Sequence, residues 1–277
     1  MPAIRTDDLR KAYGDVTALD GLSLSVEPGA LYGLLGPNGA GKTTTMELLT
    51  GQIVPDAGEA TVLGVDPAVE PVGVRELVGI LPEKESPPSF LTPREYLQFV
   101  GAVRGLDDET VDTRTTAWAD RLGFAGKLDT LATDLSRGQQ QKTMIAGAFL
   151  HEPDLVFIDE PLANLDPLVQ ERVKRFLREY REAGNTVVVS THNVEVAAEL
   201  CSQVGIVSAG SLVAEVVPAD LGPETSLLDA FMEHVEAGGE ADRLADAAAA
   251  EANRSGEETA AGRDGLAGDS APEADGR

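Results

Sequence analysis

The sequence predicts an α/β fold: a largely parallel sheet covered by helices on both faces, interrupted by an all-helical insertion. Three observations carry that expectation. Short, fully apolar β-like runs alternate with helical patterns, and strands buried on both faces read as such continuous runs. One strand-to-helix junction is a glycine-rich turn, Gly36-Pro37-Asn38-Gly39-Ala40-Gly41. Residues 92–150 hold helix-like segments and no convincing strand.

In chain order, Ala30–Leu35 (ALYGLL) is a buried strand, ended by the Gly-Pro-Asn-Gly turn signal and followed by a helix through Lys42–Thr50. A short β-run follows at 59–63. Pro87-Pro88 and Thr92-Pro93 set a stiff lead-in to a helix beginning near Pro93. Leu155–Ile158 (LVFI) is a second buried strand, with a helix through Leu168–Ala183 after a proline-containing turn. Thr186–Ser190 (TVVVS) is a third, followed by a helix through Val194–Leu200. Val204–Val207 then runs through Ala209-Gly210-Ser211 into Leu212–Val216, a closing hairpin. From about Gly238 the composition turns to Ala, Gly, Glu and Asp, which cannot bury enough surface to offset chain entropy. A folded domain over 3–235 and an acidic, disordered tail over 238–277 are expected, with a short helix through Ala241–Asn253 the one element that tail could form.

Charge narrows the partners. The 277 residues carry 47 Asp and Glu against 22 Lys and Arg, a net charge of −25. Such a field repels phosphodiester backbones, so no nucleic-acid partner is expected. Strongly acidic surfaces keep proteins soluble where salt screens their self-repulsion, which points to a halophilic setting. No run of 18 apolar residues occurs, so no membrane span is expected, and MPAIRTDDLRKAY lacks the basic-then-apolar pattern of a signal peptide. The single cysteine, Cys201, excludes an internal disulfide framework and fits a reducing, cytoplasmic setting.

The chemistry begins at the glycine-rich turn. Gly36–Thr43 matches G-x-x-x-x-G-K-[ST] between a strand and a helix. Glycines let successive backbone N–H groups point inward at phosphate oxygens, and the following helix adds its positive N-terminal end. Lys42 supplies a point charge for the β- and γ-phosphates, and the Thr43 hydroxyl can ligate Mg²⁺. The chain is therefore expected to bind a nucleoside triphosphate. Asp159 and Glu160 end a buried strand at the edge where open α/β sheets hold ligands. Asp159 is placed to hold Mg²⁺ and Glu160 to polarise an attacking water. Thr186–His192 (TVVVSTH) delivers His192 to the same edge, in reach of a γ-phosphate.

With these motifs in this order, the chain resembles the nucleotide-binding subunits of ATP-binding cassette (ABC) transporters over residues 3–232, and among them the cassettes of ABC-2-type exporters. Residues 134–142 (DLSRGQQQK) resemble the signature loop, Gly36–Thr44 the Walker A loop, Leu165-Asp166 the D-loop and His192 the switch histidine. The resemblance implies a P-loop NTPase (RecA-like) core with an antiparallel β-subdomain and an inserted α-helical subdomain at about 92–150. It implies ATP and Mg²⁺ as ligands and Tyr13 as the aromatic that stacks on adenine. It further implies a second ATP-binding subunit, identical or not, whose ATP is completed by Ser136 and Gly138 across the seam on which Asp166 lies. An integral membrane permease would receive the work, which implies a place on the inner face of the membrane. Three positions depart from the family pattern: Glu83 where many members carry a glutamine, Arg137 where glycine is commonest, and Asn164 before Leu165-Asp166. Glu83 can still approach Mg²⁺ or the attacking water, without an amide to donate. A soluble cassette protein of translation or repair type is the alternative. Repair relatives need long coiled coils, absent here, and translation factors usually carry two cassettes. A stand-alone P-loop kinase would lack the 134–142 segment.

Overall fold

The described residues build two sheets, with an apolar cluster on each face of the larger one. The structure, a computed structural model, describes residues 1–84, 86–222 and 225–235. The first sheet is antiparallel and centred on β1 (Ile4–Tyr13), which pairs with β2 (Val16–Leu22), β3 (Ser25–Val26) and β5 (Ala57–Val62). Ile4, Thr6 and Leu9 of β1 are buried while most residues between them face solvent, the period-two alternation of a sheet covered on one face.

The second sheet runs in the order β10-β9-β4-β8-β7-β6. Its strands are β4 (Leu31–Leu35), β6 (Val78–Leu81), β7 (Leu155–Asp159), β8 (Thr186–Thr191), β9 (Gln203–Ser208) and β10 (Ser211–Val216). All pair in parallel except the β9–β10 hairpin, which closes one edge antiparallel. Every residue of β4, β7 and β8 is buried. Successive side chains of these strands feed opposite faces: Tyr32 and Leu34 pack with the antiparallel sheet and α1 (Lys42–Leu49), whereas Leu31 and Leu35 pack with the helices on the other side.

Those helices include α5 (Arg137–Phe149), α6 (Pro167–Glu182) and α7 (Val194–Leu200). The insertion supplies α3 (Pro93–Val103), α4 (Asp108–Leu122) and α5, with no strand among its described residues. Thr92 and Glu95 cap α3 reciprocally, with Pro93 at the first turn, where its missing N–H costs nothing. Two contacts fix the insertion to the core. The Arg104 guanidinium, just past α3, donates to the carbonyls of Arg75, Glu76 and Val78 at the end of α2 (Pro71–Leu77). Trp118, Phe149, Phe176 and Tyr180 of α4, α5 and α6 form an aromatic cluster, with Trp118–Phe176 at 4.7 Å and Phe149–Phe176 at 4.8 Å, edge to face.

The apolar runs of the central sheet read as strands are strands, with bounds one residue away at most: β4 begins at Leu31 and β8 ends at Thr191, while the run expected at 59–63 is β5, which begins two residues earlier at Ala57. One parallel strand has no counterpart among those runs. β6 is only four residues, and it tucks under the insertion so closely that a Cβ on Gly79 would lie 2.3 Å from the Ala148 carbonyl oxygen. A last helix, α8, covers 227–235. The expected acidic tail and the helix through Ala241–Asn253 lie outside the described residues. No helix among the described residues is long and apolar enough to cross a membrane.

Candidate nucleotide site

Four parallel strands end at one edge of the central sheet, and each delivers one of the sequence-predicted segments there. Register sets their level: Leu35 pairs with Thr191 and Asp159 with Ser190. The glycine turn after β4, Asp159 and Glu160 after β7, His192 after β8 and Glu83 after β6 therefore emerge together. A cleft of about 580 Å³ lies between them. Asn38, Gly39, Gly41, Lys42, Thr43 and Thr44 form its floor. Glu83, Asp159, Glu160 and His192 form one wall, and Tyr13 with Val16 the other.

The turn is shaped by what a side chain would strike. Gly41 sits at φ +103°, and a Cβ there would lie 2.6 Å from the Ala18 carbonyl oxygen, so only glycine lets the loop close against β2 and start α1. Lys42 is buried and donates to the Gly36 and Pro37 carbonyls at 2.9 and 3.0 Å, which holds its ammonium inside the loop. Burial lowers its pKa, while Glu160, Asp159 and Glu83 oppose that shift. Ala40 is buried and its carbonyl accepts from Gly210, which anchors the loop to the β9–β10 turn. Thr43 Oγ1 donates to Asp159 Oδ2 at 2.9 Å.

Glu160 holds φ +50°, a left-handed conformation that costs a non-glycine residue on the order of 1–3 kcal/mol and collects at functional sites. Its Oε2 accepts from Thr191 Oγ1 at 3.1 Å, and its Oε1 from the His192 backbone N–H at 3.0 Å. His192 Nδ1 lies 2.6 Å from the same Oε1. With Nδ1–H directed at the carboxylate, donation from Nε2 to a phosphate requires a doubly protonated ring or a turn away from Glu160.

Ser136, Gly138 and Asp166 are not brought to this cleft. Ser136 is exposed and caps α5, accepting from the Gln139 N–H at 3.3 Å. Asp166 caps α6, accepting from the Val169 N–H at 3.1 Å, and its other oxygen lies 4.0 Å from Lys142. Gly138 is required by its neighbour: a Cβ would stand 2.8 Å from the Asn164 carbonyl oxygen. Asn164 itself lies at φ +60°, a left-handed conformation asparagine tolerates, and this accounts for the asparagine at that position.

Two participants had weaker sequence signals. Thr191 orients Glu160; a hydroxyl directly before His192 at a strand end was the available hint. Ala18 abuts the glycine loop through its carbonyl, a backbone contact with no signature in residue type.

Residues 19–163 match the family described as "ABC transporter". The chain is 34% identical over 223 residues to the probable multidrug ABC transporter ATP-binding protein YbhF of Escherichia coli (strain K12); the match covers 80% of this chain and 38% of that relative. It is 34% identical over 220 residues to the Nod factor export ATP-binding protein I of Ralstonia nicotianae, covering 79% of this chain and 68% of the relative. A solved structure described as the ATP binding subunit of an ABC transporter superposes with a TM-score of 0.77 at 28% identity, covering 83% of this chain and 98% of that one. The glycine loop with its buried lysine, the carboxylates at the adjoining strand end and these matches agree. The chain belongs to the ABC transporter family, as one of its ATP-binding cassettes.

Proposed function

We propose that this chain hydrolyses ATP to drive export through a separate membrane permease, acting as one of two paired cassettes. The observation that carries the ATPase reading is Glu160, held at the mouth of the phosphate cleft by Thr191 and His192 beside Lys42, Thr43 and Asp159. The geometry suits a general base: the carboxylate accepts the proton of a water while Lys42 and the loop N–H groups hold the phosphates against which that water attacks. The Thr43–Asp159 pair fits Mg²⁺, one hydroxyl and one carboxylate leaving room for water and phosphate oxygens. Bound there, Mg²⁺ would neutralise charge on the phosphates. Tyr13, half exposed on the cleft wall, is placed to stack on the base.

The pairing reading rests on Ser136 and Gly138. Ser136 caps and Gly138 lies in the first turn of a 13-residue helix whose start is away from the chain's own cleft, where the positive end of the helix can meet a phosphate brought by a second cassette. Permease docking is supported by Phe90, Phe99 and Val103, which are 75, 60 and 68% exposed on the segment before α3 and on α3 itself. Such docking places the cassette on the inner face of the membrane. The net charge of −25 supports a high-salt setting, tested by loss of folding on dialysis into dilute buffer and contradicted by full stability there.

Steady-state Mg-ATP hydrolysis by the purified chain and by Glu160→Gln tests the ATPase reading. Loss of a positioned general base predicts a turnover about 10²–10⁴-fold lower at similar ATP affinity. Turnover within about threefold of the parent would contradict it.

A further inference from the structure

Glu83, Arg137 and Asn164, the three positions at which this chain departs from the family pattern, line one cavity. It measures about 440 Å³ and lies between the loop after β6, the first turn of α5 and the turn before α6. Gln141 also lines it, four residues beyond Arg137 and so on the same face of α5. The Gln141 side chain is 6% exposed, and its amide nitrogen has no hydrogen-bond partner among the described residues. Buried amide donors are almost always satisfied, so this unpaired nitrogen beside the cavity is a donor that an acceptor moving in could use. Among the described residues, neither Glu83 nor Arg137 has an ion-pair partner within 4.0 Å. Glu83 also lines the phosphate cleft, and its charge acts on Lys42.

We propose that Arg137 and Gln141 form a receptor for the Glu83 carboxylate, so that Glu83 exchanges between the phosphate cleft and the first turn of α5. The chemistry is specific on both sides. A guanidinium fork and an amide N–H₂ together present three donors to a carboxylate, the charge-assisted arrangement that a glutamine at 83 would weaken and a glycine at 137 would abolish. Arg137 and Gln141 act as positioning residues: with Glu83 seated, the turn that carries Ser136 is tied to the loop after β6, and with Glu83 in the phosphate cleft it is released. The inference rests on the placing of Glu83 at the ATP site.

Two measurements on the full chain test it. In Arg137→Lys, zero-length carbodiimide coupling followed by peptide mass spectrometry should yield an 83–137 link without nucleotide. The yield should fall about threefold or more in saturating Mg-AMP-PNP. Absence of that link in both states overturns the proposal. In a double-mutant cycle on ATP turnover, Arg137→Gln should cost about threefold or more with Glu83 present and almost nothing in Glu83→Gln. Arg137→Lys should recover most of the loss, which a merely structural role would not produce. Equal losses in both backgrounds overturn the receptor while leaving the ATP site intact. Unchanged turnover and Mg-ATP affinity in Glu83→Gln alone would instead refute the placing of Glu83 at the ATP site, and the receptor with it.

Discussion

Replacing Gly138 by alanine sets two opposing effects against each other. In an exposed helix the change is stabilising, by about 1 kcal/mol, because alanine loses less backbone entropy on ordering. Here the added Cβ would stand 2.8 Å from the Asn164 carbonyl oxygen, about 0.6 Å inside ordinary contact at 3.4 Å. That oxygen is backbone, held in a left-handed turn between Glu160 and the Asp166 cap, so it cannot rotate aside as a side chain would. Overpacking of this kind costs about 1–3 kcal/mol, which outweighs the helix gain and leaves a net loss of about 1 kcal/mol. The melting temperature should fall by about 2–4 °C. The displaced turn lies four residues from Glu160, and a misplacement of about 1 Å at catalytic geometry can cost about 10²-fold, so a smaller displacement should lower ATP turnover by about tenfold. Nucleotide affinity of the single chain should stay within about twofold, since Gly138 is remote from its own cleft. Calorimetry, titration with a fluorescent ATP analogue and phosphate release read the three quantities. A variant that melts higher than the parent and hydrolyses ATP at the parent rate would refute the reasoning.

Two further predictions concern buried groups. The His151 ring lies with Nε2 3.2 Å from the Val78 carbonyl and Nδ1 buried without a partner among the described residues; burial pushes its pKa down to about 4, helped by Arg104 and Arg114. The unfolded chain takes up this proton near pH 6.5 and the folded chain does not, so stability present above pH 6.5 is lost as pH falls toward 4. Melting curves at pH 7 and pH 5 should show a drop in the parent that His151→Gln reduces; an equal drop in both would contradict the assignment. Burial likewise pushes the Cys201 thiol up to about 12, so iodoacetamide at pH 8 should modify the native chain on the order of 10²-fold more slowly than the urea-unfolded chain. Comparable rates would show that the helix α7 end opens readily.

Much of the core was legible because residue type encodes it directly. LVFI and TVVVS are apolar on both faces, and only a doubly covered strand accepts that pattern. The glycine turn was legible for a similar reason, since Gly41 answers a steric demand that only glycine meets. β6 was not: four residues containing a glycine carry no periodicity, and their pairing with β7 is decided by tertiary contact. Of the antiparallel sheet only the run at 59–63 was legible directly; the rest came through resemblance, because β1 (IRTDDLRKAY) is polar at most positions and its pairing with β2 shifts register between Leu9 and Ala12. At the site, Lys42, Thr43, Asp159 and Glu160 could be read from spacing. The role of Gly138 against Asn164 could not, since 26 residues separate two groups that meet only in the folded chain.

On the proposed function, ATP is hydrolysed between two cassettes, each completing the other's site. Light scattering of Glu160→Gln in saturating Mg-ATP tests it most directly, because that variant binds ATP and is expected to arrest before cleavage. A particle of twice the 29.0 kDa chain mass is expected, one that reverts to single chains when nucleotide is removed and fails to form when Ser136 is also replaced by alanine. A species that stays at the mass of one chain in saturating Mg-ATP would contradict it.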